Sequence, residues 1–298
     1  MKNIIFQYMI LNDAVNERGD IKLGDQTFKR ADLYQQMAMI SKDSFEKYAE
    51  ICGAEYLYSE DRVCTKGHED AISPLFECLR VIYDPYFDQF DKVLFVDTDI
   101  VANTKENIFE ESDAEVYGVL ESDIRTEVEG GYNAWDYQDR VWMDYVEKFK
   151  MHDVPLIPSF GIGHSFDSKL TIFNTGVVVW TKEARLKARE KFSSWEEWLW
   201  PERMDEKNKI HHMSIRNDQP FISGQLMKHE FDVESIHQKW NDTPCHYKNP
   251  QSWIEGKEER KINFAHYTGG EHKVKMLNAY KNNQFPIFQD NWETEWDI

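Results

Sequence analysis

Lys92-Val93-Leu94-Phe95-Val96-Asp97-Thr98-Asp99-Ile100 is the stretch from which the rest of the chain can be read. Four apolar residues in a row, mostly β-branched or aromatic, describe a short strand buried on both faces, the pattern of a central parallel strand. The strand ends in two carboxylates one residue apart. Open α/β sheets bind their ligands at the carboxyl ends of the strands, so these acids stand where a site is expected. Carboxylates leaving a dry strand need a counter-charge, and a hard divalent cation is the natural one. A metal held there can carry a diphosphate on its open positions.

Upstream, Ile4–Ile10 reads as a first strand and Leu11–Lys29 as a long loop. Helical periodicity follows from Ala31 to Cys52, with Leu33, Met37, Ile40, Tyr48 and Ile51 as core positions and Gly53 ending the helix. Glu55–Tyr58 is a second strand. Ser73-Pro74 supplies an N-cap with proline at the first helical position, opening a helix through Leu75, Phe76, Leu79 and Ile82. Strand, helix, strand, helix, strand by Val96 predicts a doubly wound α/β half-domain. Downstream come a strand at Glu115–Leu120 and a helix over Trp135–Lys150. An apolar run at Ile172–Trp180 is broken by Asn174-Thr175-Gly176, and Thr181 caps a helix. A helix at Asn217–Lys228, a strand at Asp232–Ile236 and a last strand at Ile262–Ala265 ending at His266 complete the pattern.

The 298 residues carry 54 acidic and 35 basic side chains, a formal net charge of -19 with no basic patch, which argues against nucleic acid and anionic membranes as partners. With 41% hydrophobic and 14% aromatic residues the chain is globular rather than disordered. Cys52, Cys64, Cys78 and Cys245 show no metal-knuckle spacing and read as free thiols of a reducing, cytoplasmic compartment. The apolar run at the N-terminus is too short for a membrane span, and no anchor is expected.

The Asp97-x-Asp99 pair, Phe173-Asn174-Thr175-Gly176, Asn217-Asp218-Gln219-Pro220 and Phe264-Ala265-His266-Tyr267-Thr268-Gly269-Gly270 occur in an order that resembles the GT-A glycosyltransferases. The resemblance runs from Ile4 to about Lys275 and is nearest to the family-8-like transferases, which include bacterial galactosyltransferases and glycogenin. It implies an α/β GT-A fold with a mostly parallel central sheet flanked by helices. The organisation expected is a single catalytic domain, with a nucleotide-binding half (1–123), a sugar- and acceptor-binding half (124–280) and a tail (281–298). It implies Asp97, Asp99 and His266 as metal ligands, a set that suits Mn²⁺ better than Mg²⁺. A UDP-sugar donor and a carbohydrate-type acceptor follow from the same resemblance.

On the donor side the resemblance implies Arg80, Thr98, Asn174, Asp123, Gly269, Gly270 and Lys273. Arg80 reads equally well as an ordinary arginine on an amphipathic helix, and Lys275 competes with Lys273 for the diphosphate because the family's Pro-Trp is replaced by Val274-Lys275. The glycines favour close approach of the backbone to a ligand. Asn174 would reach sugar hydroxyls or bond the backbone at a bulge. Gln219 and Asp218 are the catalytic candidates, although Pro220 stands where the family has a second acid. Trp240-Asn241 matches an aromatic-Asn pair of the acceptor-side loop. Retention by front-face attack is expected; the alternatives are an inverting enzyme with Asp218 as base, and a degenerate sugar-binding protein using Trp195, Trp198 and Trp200. A nucleotidyltransferase would need a glycine-rich loop after the first strand, and Gln7–Asn12 has none.

Overall fold

In a computed structural model of the protein the described residues are 1–10, 19–23, 25–68, 73–120, 173–196, 218–243 and 262–282. Asp123, the helix expected over Trp135–Lys150, Trp198, Trp200, Cys245 and residues 283–298 of the tail lie outside them. The elements in order are β1 (Asn3–Tyr8), β2 (Ile21–Leu23), β3 (Gln26–Phe28), α1 (Arg30–Cys52), β4 (Glu55–Ser59), α2 (Arg80–Tyr83), β5 (Lys92–Val96), β6 (Ile100–Ala102), β7 (Val116–Leu120), β8 (Phe173–Thr181), α3 (Lys182–Lys191), α4 (Asp218–Lys228), β9 (Val233–Ser235), β10 (Phe264–His266) and α5 (Gly270–Lys281).

Six strands form one sheet in the order β4-β1-β5-β8-β7-β9. Five run the same way; β8 alone is reversed, antiparallel to both β5 and β7. The expected mostly parallel sheet is therefore present with one inversion at its centre. That inversion matters for the site. A reversed strand delivers its first residues, not its last, to the carboxyl ends of its neighbours. Val177 pairs with Val96, so Asn174, Thr175 and Gly176 arrive beside Asp97. The Asn-Thr-Gly expected to break this run lies inside the strand instead.

Side chains alternate between two buried faces, as a covered central sheet requires. Ile4, Phe6, Val93, Phe95, Val178 and Trp180 enter one core, with Phe76, Leu79, Ile82 and Phe221. Ile5, Leu94, Val96, Val177 and Val179 enter the other, with Phe45, Tyr48, Trp240 and Phe264.

α1 ends at Gly53, whose φ of 64° is the left-handed geometry glycine tolerates, and its N–H bonds back to the last carbonyls of the helix. Ile51, expected in the core, is exposed in the last turn. The segment after Ser73 is a 3-10 helix (Ser73–Leu79) running into the single α turn of α2, rather than the α-helix expected. Phe76, Cys78, Leu79, Val81 and Ile82 all enter the core from this segment, and Leu75 points outward. The long loop expected before α1 contains the β2–β3 hairpin. Thr181 caps α3 as expected, its hydroxyl accepting from Ala184 N–H at 3.2 Å, a bond worth about 1 kcal/mol. Trp195 is buried and stacked on Phe76, so it offers no sugar platform. Among the described residues no helix is long and apolar enough to cross a membrane.

Candidate metal centre

Asp97 leaves the end of β5 with its backbone held from both sides. Its N–H donates to Gly176 carbonyl at 2.9 Å, and its carbonyl accepts from Gln7 Nε2 at 3.1 Å. Gln7 is buried in β1 and also bonds Ser41 and Tyr56, so this polar interruption of an apolar strand is a strut under the acid. A tight turn brings Ile100 N–H back to Asp97 carbonyl and starts β6. β6 pairs antiparallel with β10, placing His266 opposite Ile100. Tyr267 N–H then donates to Asp99 carbonyl at 2.9 Å. The result is a cluster in which one atom each of Asp97, Asp99 and His266 lie within 4.8 Å of one another.

Lys273 completes the group. Gly269, with φ of 76°, turns the chain into α5, and one turn later Lys273 Nζ donates to Asp99 Oδ2 at 2.6 Å and Tyr267 carbonyl at 2.9 Å. Burial drives the Asp97 carboxyl well above the usual carboxylate range, and the charge of Asp99 adds to the effect. Asp99 is pushed up by burial too, but the Lys273 ammonium and then His266 outweigh it and hold the carboxyl far below that range. One lysine thus satisfies one acid. The second acid is left short of positive charge in a partly dry place. Two carboxylates and an imidazole converging at this separation suit a divalent cation in both chemistry and charge.

Asp218, at the start of α4, is buried and accepts from Thr175 Oγ1 at 2.7 Å and from Cys78 Sγ at 3.8 Å. Burial pushes its carboxyl up to about 6, against the lowering effect of these bonds. Its charge and that of Asp97 act on one another, which puts the two acids in one region. Gln219 follows it in the first turn of α4.

No protein-family model matches this chain, and no curated protein does. Solved structures that it is similar to include a glycosyltransferase involved in the glycosylation of the major capsid of PBCV-1, at 13% identity and a TM-score of 0.43, over 94% of this chain and 100% of that one. Another is galactosyltransferase LgtC in complex with donor and acceptor sugar analogs, at 11% identity and a TM-score of 0.39, over 98% of this chain and 99% of that one. A third is the bifunctional WbbM in its apo form, at 12% identity and a TM-score of 0.45; 99% of this chain spans only 50% of it. Likeness at this level leaves the chemistry to be read from the chain's own residues.

The other expected site residues divide clearly. Thr98 sits between the two acids, its hydroxyl on Met9 Sδ at 3.5 Å. Lys275 pairs with Glu271 on the surface of α5, so the lysine that enters the cluster is Lys273. Arg80 is taken up elsewhere: its guanidinium bonds Asp84 at 2.8 Å and Ser59 at 2.9 Å and lies over the Phe6 ring. Gly270 packs against Ile21, whose Cδ1 would stand 2.6 Å from a Cβ there. Gly176 is the glycine the site presses on. A Cβ on it would lie 2.9 Å from His266 Cε1 and 3.2 Å from Asp97 Oδ2. Asn174 and Asn241 are brought together behind His266. Gln7, Thr175 and Cys78 were not among the expected site residues. Gln7 and Thr175 left a trace, each as a polar residue in an apolar run.

Proposed function

We propose that this protein is a metal-dependent glycosyltransferase that moves a sugar from a nucleotide diphosphate, UDP in the simplest case, to a carbohydrate-type acceptor. One observation carries the reading: two carboxylates and a histidine converge at the carboxyl end of the central strand, with more negative charge than Lys273 alone offsets. The residues that would hold Mn²⁺ are Asp97, Asp99 and His266. When bound, such an ion supplies charge neutralisation for a departing diphosphate. The chain supplies the rest. Lys273 is close enough to its own acid to exchange that contact for a phosphate oxygen as a point charge. Gly176 leaves room for the His266 ring and the Asp97 carboxyl to stand against the strand, where a side chain would crowd them.

Asp218 and Gln219 lie at the start of one helix on the side of Thr175. In the retaining version Asp218 orients sugar hydroxyls and Gln219 lies against the reacting centre, while the acceptor attacks on the face the diphosphate leaves. A second reading has its own support. A carboxyl brought up to about 6 by burial is well matched to take a proton from an acceptor hydroxyl, which is the task of a base in an inverting enzyme. The anomeric configuration of the product, read by proton NMR, separates the two.

The first test is calorimetric titration of UDP and of GDP, with and without Mn²⁺, on wild type and on Asp99→Asn. UDP binding that needs Mn²⁺ and disappears in the variant is the expected result. If neither nucleotide binds under any metal condition, the transferase reading falls and a sugar-binding protein takes its place.

A further inference from the structure

The hydrogen bonds behind His266 run in one direction, and a backbone amide sets it. Gly176 N–H donates to Asn174 Oδ1 at 3.2 Å. A backbone N–H can only donate, so the atom facing it must be the oxygen of the Asn174 amide and not its nitrogen. The same oxygen accepts from Asn241 Nδ2 at 2.9 Å. That bond turns the other end of the Asn241 amide, Oδ1, toward His266 Nδ1 at 2.8 Å. An amide oxygen only accepts, so the imidazole nitrogen facing it carries a proton. Nε2 is then the nitrogen turned to the acids, 3.3 Å from Asp99 Oδ1: it carries a proton bonded to that carboxylate while the ring is charged, and the lone pair when the ring is neutral or holds a cation.

We infer that Asn174 and Asn241 form a positioning relay that fixes His266 in its Nδ1–H tautomer and presents Nε2 to the acids. The inference deepens the proposed function, and the use of that nitrogen for a cation rests on it. The tautomer itself does not.

Three features of the fold build the relay. Reversal of β8 brings Asn174 and Gly176 to the carboxyl end of β5. A bridge between Asp242 and Ala265, with His266 N–H donating to Asp242 carbonyl at 2.7 Å, sets Asn241 alongside His266. Trp240, fully buried, anchors the turn just before it. Gly176 has no side chain because the relay passes where one would stand: a Cβ would lie 3.1 Å from Asn174 Oδ1 and 2.9 Å from His266 Cε1.

Charge explains why both members are amides. Metal-bound histidines are commonly oriented by a carboxylate. Here two carboxylates already face one lysine, and a third buried anion behind the ring would deepen the imbalance. An amide gives the same acceptor without charge. Asn241 is 1% exposed, a position an asparagine occupies only when its polar atoms are paired. This gives Asn174 work that differs from touching a sugar: its oxygen already accepts two hydrogen bonds.

The test is long-range ¹H–¹⁵N correlation NMR on the histidines of the metal-free protein, at a pH where the rings are neutral, paired with Mn²⁺ titration by calorimetry. His266 is expected as the Nδ1–H tautomer in wild type. Asn241→Leu should shift it toward Nε2–H and weaken Mn²⁺ binding about 10- to 100-fold. Asn241→Asp, which keeps an acceptor opposite Nδ1, should retain the wild-type tautomer, and its spectrum stands even if the leucine variant does not fold. An Nε2–H tautomer in wild type overturns the relay, as does a wild-type ring spectrum or unchanged Mn²⁺ affinity in folded Asn241→Leu. The expected tautomer in a wild-type protein that binds no Mn²⁺ supports the relay and removes the cation site instead.

Discussion

The two ends of β5 treat buried charge in opposite ways. At its start, the Lys92 ammonium is buried and closed off: it donates to the carbonyls of Phe109 and Ser112, both at 2.8 Å, with the Tyr117 hydroxyl at 3.4 Å. Arg185 does the same nearby, donating to the carbonyls of Phe87, Phe90 and Trp180. These cations are matched to neutral oxygens that cannot leave, with only Arg185 Nε of their nitrogens lacking a partner among the described residues. At the other end, Lys273 and His266 each have one neutral oxygen partner, of Tyr267 and of Asn241, and otherwise face the carboxyl of Asp99. Buried charge serves architecture where its partners are backbone, and becomes available for chemistry where its partners are other charged groups able to exchange.

Substitution should separate the two ends. Asp97→Asn removes one cation ligand and one of two like charges. Mn²⁺-dependent UDP binding should fall at least about a thousandfold, some 4 kcal/mol. The metal-free melting temperature should hold or rise, and a large drop in it would mean that the acid is structural. Lys92→Met should do the reverse. It leaves two buried carbonyls and a hydroxyl without their donor, a loss of about 3 kcal/mol in urea unfolding, with UDP affinity of the folded protein unchanged.

Asp218 lies between these extremes. Its folded carboxyl is raised from 3.8 to about 6, so within that window the folded chain keeps a proton that the unfolded chain has released. Stability therefore falls as pH rises through the window, by about 3 kcal/mol, and stays lower above it. Asp218→Asn should erase this slope, melting above wild type at pH 7 and converging with it in acid. A variant whose melting temperature tracks wild type at every pH would show that this acid costs the fold nothing.

The unequal treatment of charge also explains which features are legible in the amino-acid sequence. The apolar run ending in Asp97 and Asp99 locates both the central strand and the acids, because local pattern is all that such a strand needs. His266 is legible from its strand and from the glycines after it, of which Gly269 makes the turn into α5 and Gly270 packs on Ile21. Direction is not legible. Nothing in Phe173–Thr181 says that the strand runs backwards, since buried parallel and antiparallel strands share one apolar pattern. Without the reversal, Asn174 has no reason to meet Asn241. Arg80 cannot be placed by sequence for a similar reason: its partners Ser59 and Asp84 come from two different elements. The 3-10 start of its helix escapes because Ser-Pro opens α- and 3-10 turns alike.

The small sheet of β6 and β10 gives the site a second consequence. Neither strand bonds to the six-stranded sheet, and His266 enters the centre on the piece of chain that continues into α5, far along the sequence from Asp97. An ion held by Asp97 and His266 together would fasten the carboxy-terminal segment to the body of the molecule like a clasp. The ligand that readies the protein for its donor would also decide how firmly α5 is held to the strands that carry the acids.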